Sequence, residues 1–187
     1  TGNFSMRVKS KCQKIVGVDS SIEGILVHKE KDPNAEVVLS DITMGIPFPD
    51  NSFSKVLSNN TIYTLPKNKQ HFVIREVYRI LKNDGKFVIS NIKENFSPVY
   101  IYRTHLRNSV NRYGLLKTIS LAFKMLLPTI KIFYYNIIIK KAGASGKYNF
   151  LSEQEQLALL DGAGFDSISE PIAVYADQAI MNSAYKK

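Results

Sequence analysis

"KIVGVDSSIEGILVHKEKDPNAEVVLSD", Lys14 to Asp41, decides the fold of this chain. Its opening "KIVGVD" is an apolar run with β-branched residues that closes on an acid, the pattern of a buried parallel strand. "SSIEGILVHKEK" follows, with Ser20 or Ser21 as N-cap and Ile22, Ile25 and Leu26 spaced to share one helical face. "AEVVLSD" (35–41) is a second strand that again ends on an acid. Strand, helix and strand in this order predict a βαβ unit and a parallel sheet.

The same alternation continues downstream. "MGIPFPDNSF" carries turn chemistry in Pro-Asp-Asn-Ser and leads into a third strand, "FSKVLSNN" (53–60). In "NKQHFVIREVYRILK" (68–82), Val73, Val77, Ile80 and Leu81 recur at helical spacing; "NDG" stops that helix before a fourth strand, "KFVISNI" (86–92). Later, "FLSEQEQLALLDGAGF" opens on Ser152 and Glu155, a capping box, and closes on glycines. "SISEPIAVY" and "QAIMNSAY" then supply two strands with only a short link, which requires an antiparallel pair. Upstream, Thr1-Gly2-Asn3 reads as a turn and Phe4 to Lys11 as a short helix, with no strand ahead of them.

The net charge of +9 on 187 residues is unevenly spread. Residues 1–96 sum to +4, residues 97–148 to +9 with no Asp or Glu, and residues 149–187 to −4. These shifts divide the chain into a partial α/β core, a basic aromatic-rich insertion, and a C-terminal helix with strands that complete the core. Cys12 is the only cysteine, which excludes an internal disulfide, and no charged-then-apolar signal segment precedes residue 20. A reducing, cytoplasmic setting is the expectation. His28, His71 and His105 are too scattered for metal-ligand spacing, so no metal is expected.

"TGNFS", "VGVDSS", "LSDITMGIPFPDNSFSKVLSNNTIYTLP", "REVYRILKNDGKFVIS" and "FLSEQEQLALLDGAGF", in this order and spacing, resemble the class I S-adenosylmethionine-dependent methyltransferases. The resemblance is to the branch that acts on small molecules such as quinone precursors and sterols. It implies a doubly wound, mostly parallel Rossmann-like sheet with an antiparallel C-terminal strand and a helical cap over residues 97–148. It also implies a first strand with a glycine-rich loop, of which only Thr1 and Gly2 stand in this sequence. Two stretches depart from the family pattern: Ser54 and Lys55 follow Phe53, and "LKNDGKF" replaces the usual Pro-Gly-Gly.

In an open α/β sheet, ligands bind outside the carboxyl ends of the strands. On the resemblance, Asp19 accepts from the ribose hydroxyls, Asp41 from the adenine amine, and Ile42 packs near the ring. Thr1, Gly2 and Asn3 face the methionine carboxylate at a helix N-terminus, with Ser20 beside the adenosine. Ile22 fits either that pocket or the core. Asn59 lines the methionine end, next to Asn60. Each has a structural alternative: Asp19 can cap the following helix, Asp41 can form a turn, and Asn59 can simply end its strand. Tyr63 stands where the family often faces substrate, or it packs. His105 and Tyr63 are the candidates for a base, and no paired constellation supports either.

"ISLAFKMLLPTIKIFYYNIII" (119–139) has the nominal length of a membrane span, but Lys124, Pro128 and Lys131 divide it, so two amphipathic helices are expected. Nine Lys/Arg, no acids and eight aromatics in the segment suit an anionic lipid surface or an acidic, apolar substrate better than nucleic acid, the alternative being a basic lid whose lysines are simply solvated. The expected activity is methyl transfer from S-adenosylmethionine to an apolar small molecule. The rival reading is a non-catalytic chain of the same fold that engages a membrane or partner through the basic segment.

Overall fold

The computed structural model describes residues 2–94, 96–144 and 148–187. Its first element is α1 (Asn3–Val8), which runs into a 3-10 turn at Lys9–Lys11. Strand β1 (Val16–Asp19), helix α2 (Ile22–Lys31) and strand β2 (Glu36–Leu39) form the expected βαβ unit. The strands are parallel, with Asp19 opposite Leu39. Ser21 is the N-cap of α2: its hydroxyl accepts from the Gly24 N–H at 2.9 Å.

Helix α2 does not present the face its apolar spacing predicts. Ile22 and Leu26 are 57% and 56% exposed, whereas Gly24 and His28 are buried. The reason is close approach. A Cβ at Gly24 would lie 2.8 Å from Asp19 Oδ2, and one at Gly2 would lie 2.0 Å from the His28 ring, so the glycine face is the one that can dock. Burial holds the His28 imidazole below its ordinary pKa.

A second sheet holds β3 (Phe53–Asn59) and β4 (Leu81–Ile92), joined in parallel through α3 (Lys67–Ile80). β4 begins five residues earlier than the turn signal predicts, because the chain passes directly from α3 into extended backbone. The turn itself lies inside β4. Asp84 takes a left-handed φ of 59°, and a Cβ at Gly85 would meet the Lys82 carbonyl at 2.6 Å.

Three helices follow, α4 (Pro98–Tyr113), α5 (Leu115–Lys124) and α6 (Leu126–Ala144). Pro128 falls in the first turn of α6, where a missing N–H costs nothing, so it does not end the helix. The amphipathic pattern expected of two helices is clear in α5, while α6 carries apolar residues around most of its circumference. No helix among the described residues is long and apolar enough to cross a membrane.

Helix α7 (Glu153–Gly162) starts at the expected capping box, with Ser152 and Glu155 bonded reciprocally. Strands β5 (Ile172–Val174) and β6 (Ala179–Tyr185) pair antiparallel, and β6 also pairs antiparallel with β4. The order in this sheet is β3-β4-β6-β5. β1 and β2 form a separate pair, so among the described residues no ladder joins β1 to β3. A cavity of about 580 Å³ lies between the two sheets, lined by Val16, Val37, Val38 and Phe53.

The core is packed around the second sheet. Ile74 of α3, Phe87 and Ile89 of β4 and Leu160 of α7 are fully buried. Each such side chain contributes about 1.5–3 kcal/mol through loss of contact with water. A buried chain of amides crosses the same layer: Asn91 donates to Gln156 at 2.8 Å, and Gln156 donates to Asn182 at 2.8 Å. Asn182 in turn donates to the Ser169 carbonyl at 2.7 Å. Three elements, β4, α7 and β6, are thereby held in one register.

Candidate functional site

The carboxyl ends of β1 and β2 each lead to an acid, Asp19 and Asp41. The Ser40 N–H donates to the Asp19 carbonyl at 3.0 Å, which carries the chain from β2 past the end of β1 and on to Asp41. Asp19 is half-buried; its Oδ1 accepts from the Ser21 N–H at 3.0 Å, and its Oδ2 occupies the space that Gly24 leaves by lacking a side chain. The carboxylate is thus fixed by the start of α2, whose capping oxygen is the Ser21 hydroxyl. Ser20 is exposed beside it.

Asp41 is exposed and caps the 3-10 turn Ile42–Met44, accepting from the Thr43 N–H at 2.9 Å. That N–H holds its carboxyl below the ordinary range, so it is ionised at neutral pH. Ile42 is half-buried and packs against the hydrophobic core.

The ends of β3 and β4 contribute a polar cluster. Asn59 Oδ1 accepts from the Ser90 hydroxyl at 2.6 Å, and the Tyr175 hydroxyl approaches the same oxygen at 3.4 Å. Asn60 has a left-handed φ of 56°, a conformation that Asn adopts more readily than most residues. Its N–H donates to the Ser90 carbonyl at 2.8 Å, while its Oδ1 is buried with no hydrogen-bond partner. The Ser58 hydroxyl is also buried and unpartnered. A buried acceptor without a donor is costly, and a bound N–H group would relieve that cost. Sequence reasoning weighed Asn59 above Asn60; the one available signal was the Asn-Asn pair at a strand end.

The remaining predicted residues lie elsewhere. Thr1 is outside the described residues. Gly2 is the N-cap of α1 with φ 69° and packs on His28, and Asn3 Oδ1 accepts from Lys31 at 2.7 Å. Tyr63 is buried: its ring stacks on Phe150 at 5.1 Å and lies 5.7 Å from Tyr148, so packing is the role the structure displays. Burial raises the Tyr63 pKa, which keeps the phenol protonated at neutral pH. His105 is exposed on α4.

Loop 148–150, which returns from the helical insertion, is fastened next to Tyr63. Asn149 N–H donates to the Tyr63 carbonyl at 2.7 Å, and Gln70 Nε2 donates to the Asn149 and Ile62 carbonyls at 2.9 and 3.1 Å. Two cavities have linings that do not include Asp19, Asp41 or Asn59. One lies between the sheets, and the other, of about 250 Å³, lies against α1 and His28. Among the described residues, no group of His, Cys, Asp and Glu is placed to hold a metal.

Comparison with known proteins bears on the family and the fold. A methyltransferase-domain family model matches residues 1–89. An uncharacterised methyltransferase of Schizosaccharomyces pombe is 29% identical over 53% of the chain and 41% of its own length. The ubiquinone/menaquinone biosynthesis C-methyltransferase UbiE of Geotalea uraniireducens is 28% identical over 90% of the chain and 68% of its own length. The chain therefore spans about two fifths of the first of these relatives and about two thirds of the second. Among solved structures, the N-methyltransferase NodS of Bradyrhizobium japonicum, in complex with S-adenosyl-L-homocysteine, superposes with a TM-score of 0.61 at 11% identity. That match covers 99% of this chain and 72% of NodS, and it speaks to the fold.

Proposed function

We propose that the chain is a class I S-adenosylmethionine-dependent methyltransferase, a reading supported by the methyltransferase-domain match over residues 1–89, and that it transfers a methyl group from S-adenosylmethionine to an apolar small molecule by in-line displacement. The observation that carries this reading is the row of acceptors at successive strand ends: Asp19 on β1, Asp41 after β2, and Asn59 with Asn60 on β3. Acceptors suit this cofactor, which presents ribose hydroxyls, an adenine amine and a methionine ammonium as donors. When bound, it supplies an already electrophilic methyl group on a sulfonium.

The chain's own contribution is alignment and exclusion of water. Asp19 would hold the ribose hydroxyls. Asp41 would accept from the adenine amine, with Ile42 against the ring. The unpartnered Asn60 Oδ1, beside Asn59, would accept from the ammonium. Tyr63, buried and protonated, is better suited to supporting the insertion than to taking a proton, which leaves His105 as the candidate base of the pair. A quinone-like acceptor is supported by the name of the Geotalea relative and by the apolar character of residues 97–148.

One observation favours the rival reading of a non-catalytic chain: Asp19 and Asp41 stand on one sheet and Asn59 on the other, with no ladder between. Incubating the protein with methyl-labelled S-adenosylmethionine and a demethylated quinone, then extracting into solvent, separates the two. Label in the organic phase supports the enzyme; cofactor binding with no label in any apolar acceptor removes the substrate proposal; no cofactor binding leaves the non-catalytic reading.

A further inference from the structure

Helices α5 and α6 expose a large apolar face. Backbone hydrogen bonding runs through the junction, with Met125 N–H donating to Leu121 and Thr129 N–H to Met125, at 2.9 and 2.8 Å. Leu116, Ile119, Phe123, Leu127, Ile130 and Tyr134 therefore recur at steps of three and four along one stripe. All six are exposed, Leu116 at 83%, Phe123 at 75% and Leu127 at 73%. The opposite side carries Thr118 and Thr129, only 5% and 8% exposed, among half-buried Leu121, Ala122, Met125 and Phe133, and Ser109 of α4 is buried as well. Thr118 satisfies itself by donating to the Gly114 carbonyl at 2.8 Å.

A continuous row of large apolar side chains on the exposed face suits a helix whose outer face meets lipid. Single exposed leucines need no explanation, but a stripe of roughly 27 Å, the length of eighteen helical residues, does. The flanking charge identifies what covers it. Lys117, Lys124 and Lys131, all exposed, recur every seven residues, each one position after Leu116, Phe123 and Ile130, and so line one border of the stripe. Long lysine stems lie along apolar surface while the ammonium reaches the headgroup level.

We infer that the α5–α6 face docks on an anionic lipid surface, lying in the interface without crossing it. A second copy is a poor occupant. The segment carries nine Lys/Arg and no acid, so two such faces would meet with like charge and nothing in the segment to pair it. A nucleic-acid groove is poorer still, since Leu116, Phe123 and Leu127 offer its phosphates nothing. The inference rests on the helical segment alone and stands whether or not the strand-end acceptors hold a cofactor.

The test is co-flotation of the full chain with phosphatidylcholine vesicles, prepared with and without phosphatidylglycerol, at low and high salt. The chain is expected to float with the phosphatidylglycerol vesicles and to be released by salt. Lys117→Gln/Lys124→Gln/Lys131→Gln is expected to weaken partitioning about a hundredfold, roughly fivefold per lysine. Leu116→Ser/Phe123→Ser should weaken it by roughly tenfold or more through lost apolar contact. These side chains are exposed, so both variants should retain the circular dichroism of the parent. Failure to float, or flotation unchanged in both variants, overturns the inference. So does self-association, or retention of an RNA oligonucleotide, that Leu116→Ser/Phe123→Ser abolishes while no vesicle is bound.

Discussion

The Ser90 hydroxyl donates to Asn59 Oδ1 at 2.6 Å, tying the end of β4 to the end of β3 where the candidate site lies. The bond fixes which way the Asn59 amide points. Ser90→Ala removes that restraint at a stability cost of about 1 kcal/mol, the ordinary net value of one hydrogen bond. Affinity for S-adenosylmethionine should fall roughly tenfold, a similar energy expressed at the site. Calorimetric titration beside a thermal melt checks this; a melt that shifts with unchanged affinity would make Ser90 structural only.

Arg79 fastens the loop before β3 to α3. It donates to Glu76 at 2.8 Å through both Nε and Nη2, to Asp50 at 2.7 Å, and to the Phe48 and Ile46 carbonyls. Asp50 is largely exposed and contributes little. Glu76 is mostly buried, and Arg79 holds its carboxyl below the ordinary range. Glu76→Gln should therefore cost about 2 kcal/mol at neutral pH. A carboxyl with a depressed folded pKa stabilises above its unfolded value, about 4.3, and that stabilisation is lost as pH falls through the folded value. The gap between parent and variant in urea melts should thus close on acidification; a gap constant from pH 7 to pH 3 would contradict the assignment.

Gln156 is fully buried between Asn91 and Asn182, donating to one and accepting from the other. Gln156→Leu keeps the volume but strands both partners, at about 1–3 kcal/mol for each unsatisfied group. Denaturant midpoints should show a combined loss of roughly 2–6 kcal/mol. Near-neutral behaviour would mean that water replaces the amide.

The two sheets should differ in local stability. β4 is paired on both sides and carries Phe87 and Ile89 into the core, whereas β1 pairs with β2 alone and neither is fully buried. Amide exchange should be slowest in 86–92 and 179–185 and markedly faster in 16–19 and 36–39. Equal protection in both would show that the pairs unfold as one unit.

What was legible in the sequence is what local pattern encodes. The strands ending at Asp19, Leu39 and Asn59 follow from apolar runs closed by polar residues, and α7 from Ser152 and Glu155. The antiparallel tail follows from its short link. What was not legible depends on contacts between distant parts of the chain. The exposure of Ile22 and Leu26 arises because Gly24 lets α2 approach Asp19. The Ser90–Asn59 bond joins residues 31 apart. The packing of Tyr63 depends on Phe150, beyond the whole insertion. Buried Thr118 of α5 and Thr129 of α6 sit where a periodicity argument would place large apolar side chains, so none would choose them.

The central claim is that the strand-end acceptors hold S-adenosylmethionine, and calorimetric titration of the parent chain and of Asp19→Ala tests it most directly. The account predicts saturable binding to the parent and a loss of roughly tenfold to a hundredfold in the variant, as expected for a charged acceptor of two hydroxyl hydrogen bonds. No saturable binding to the parent, or equal affinity in the two, would contradict it.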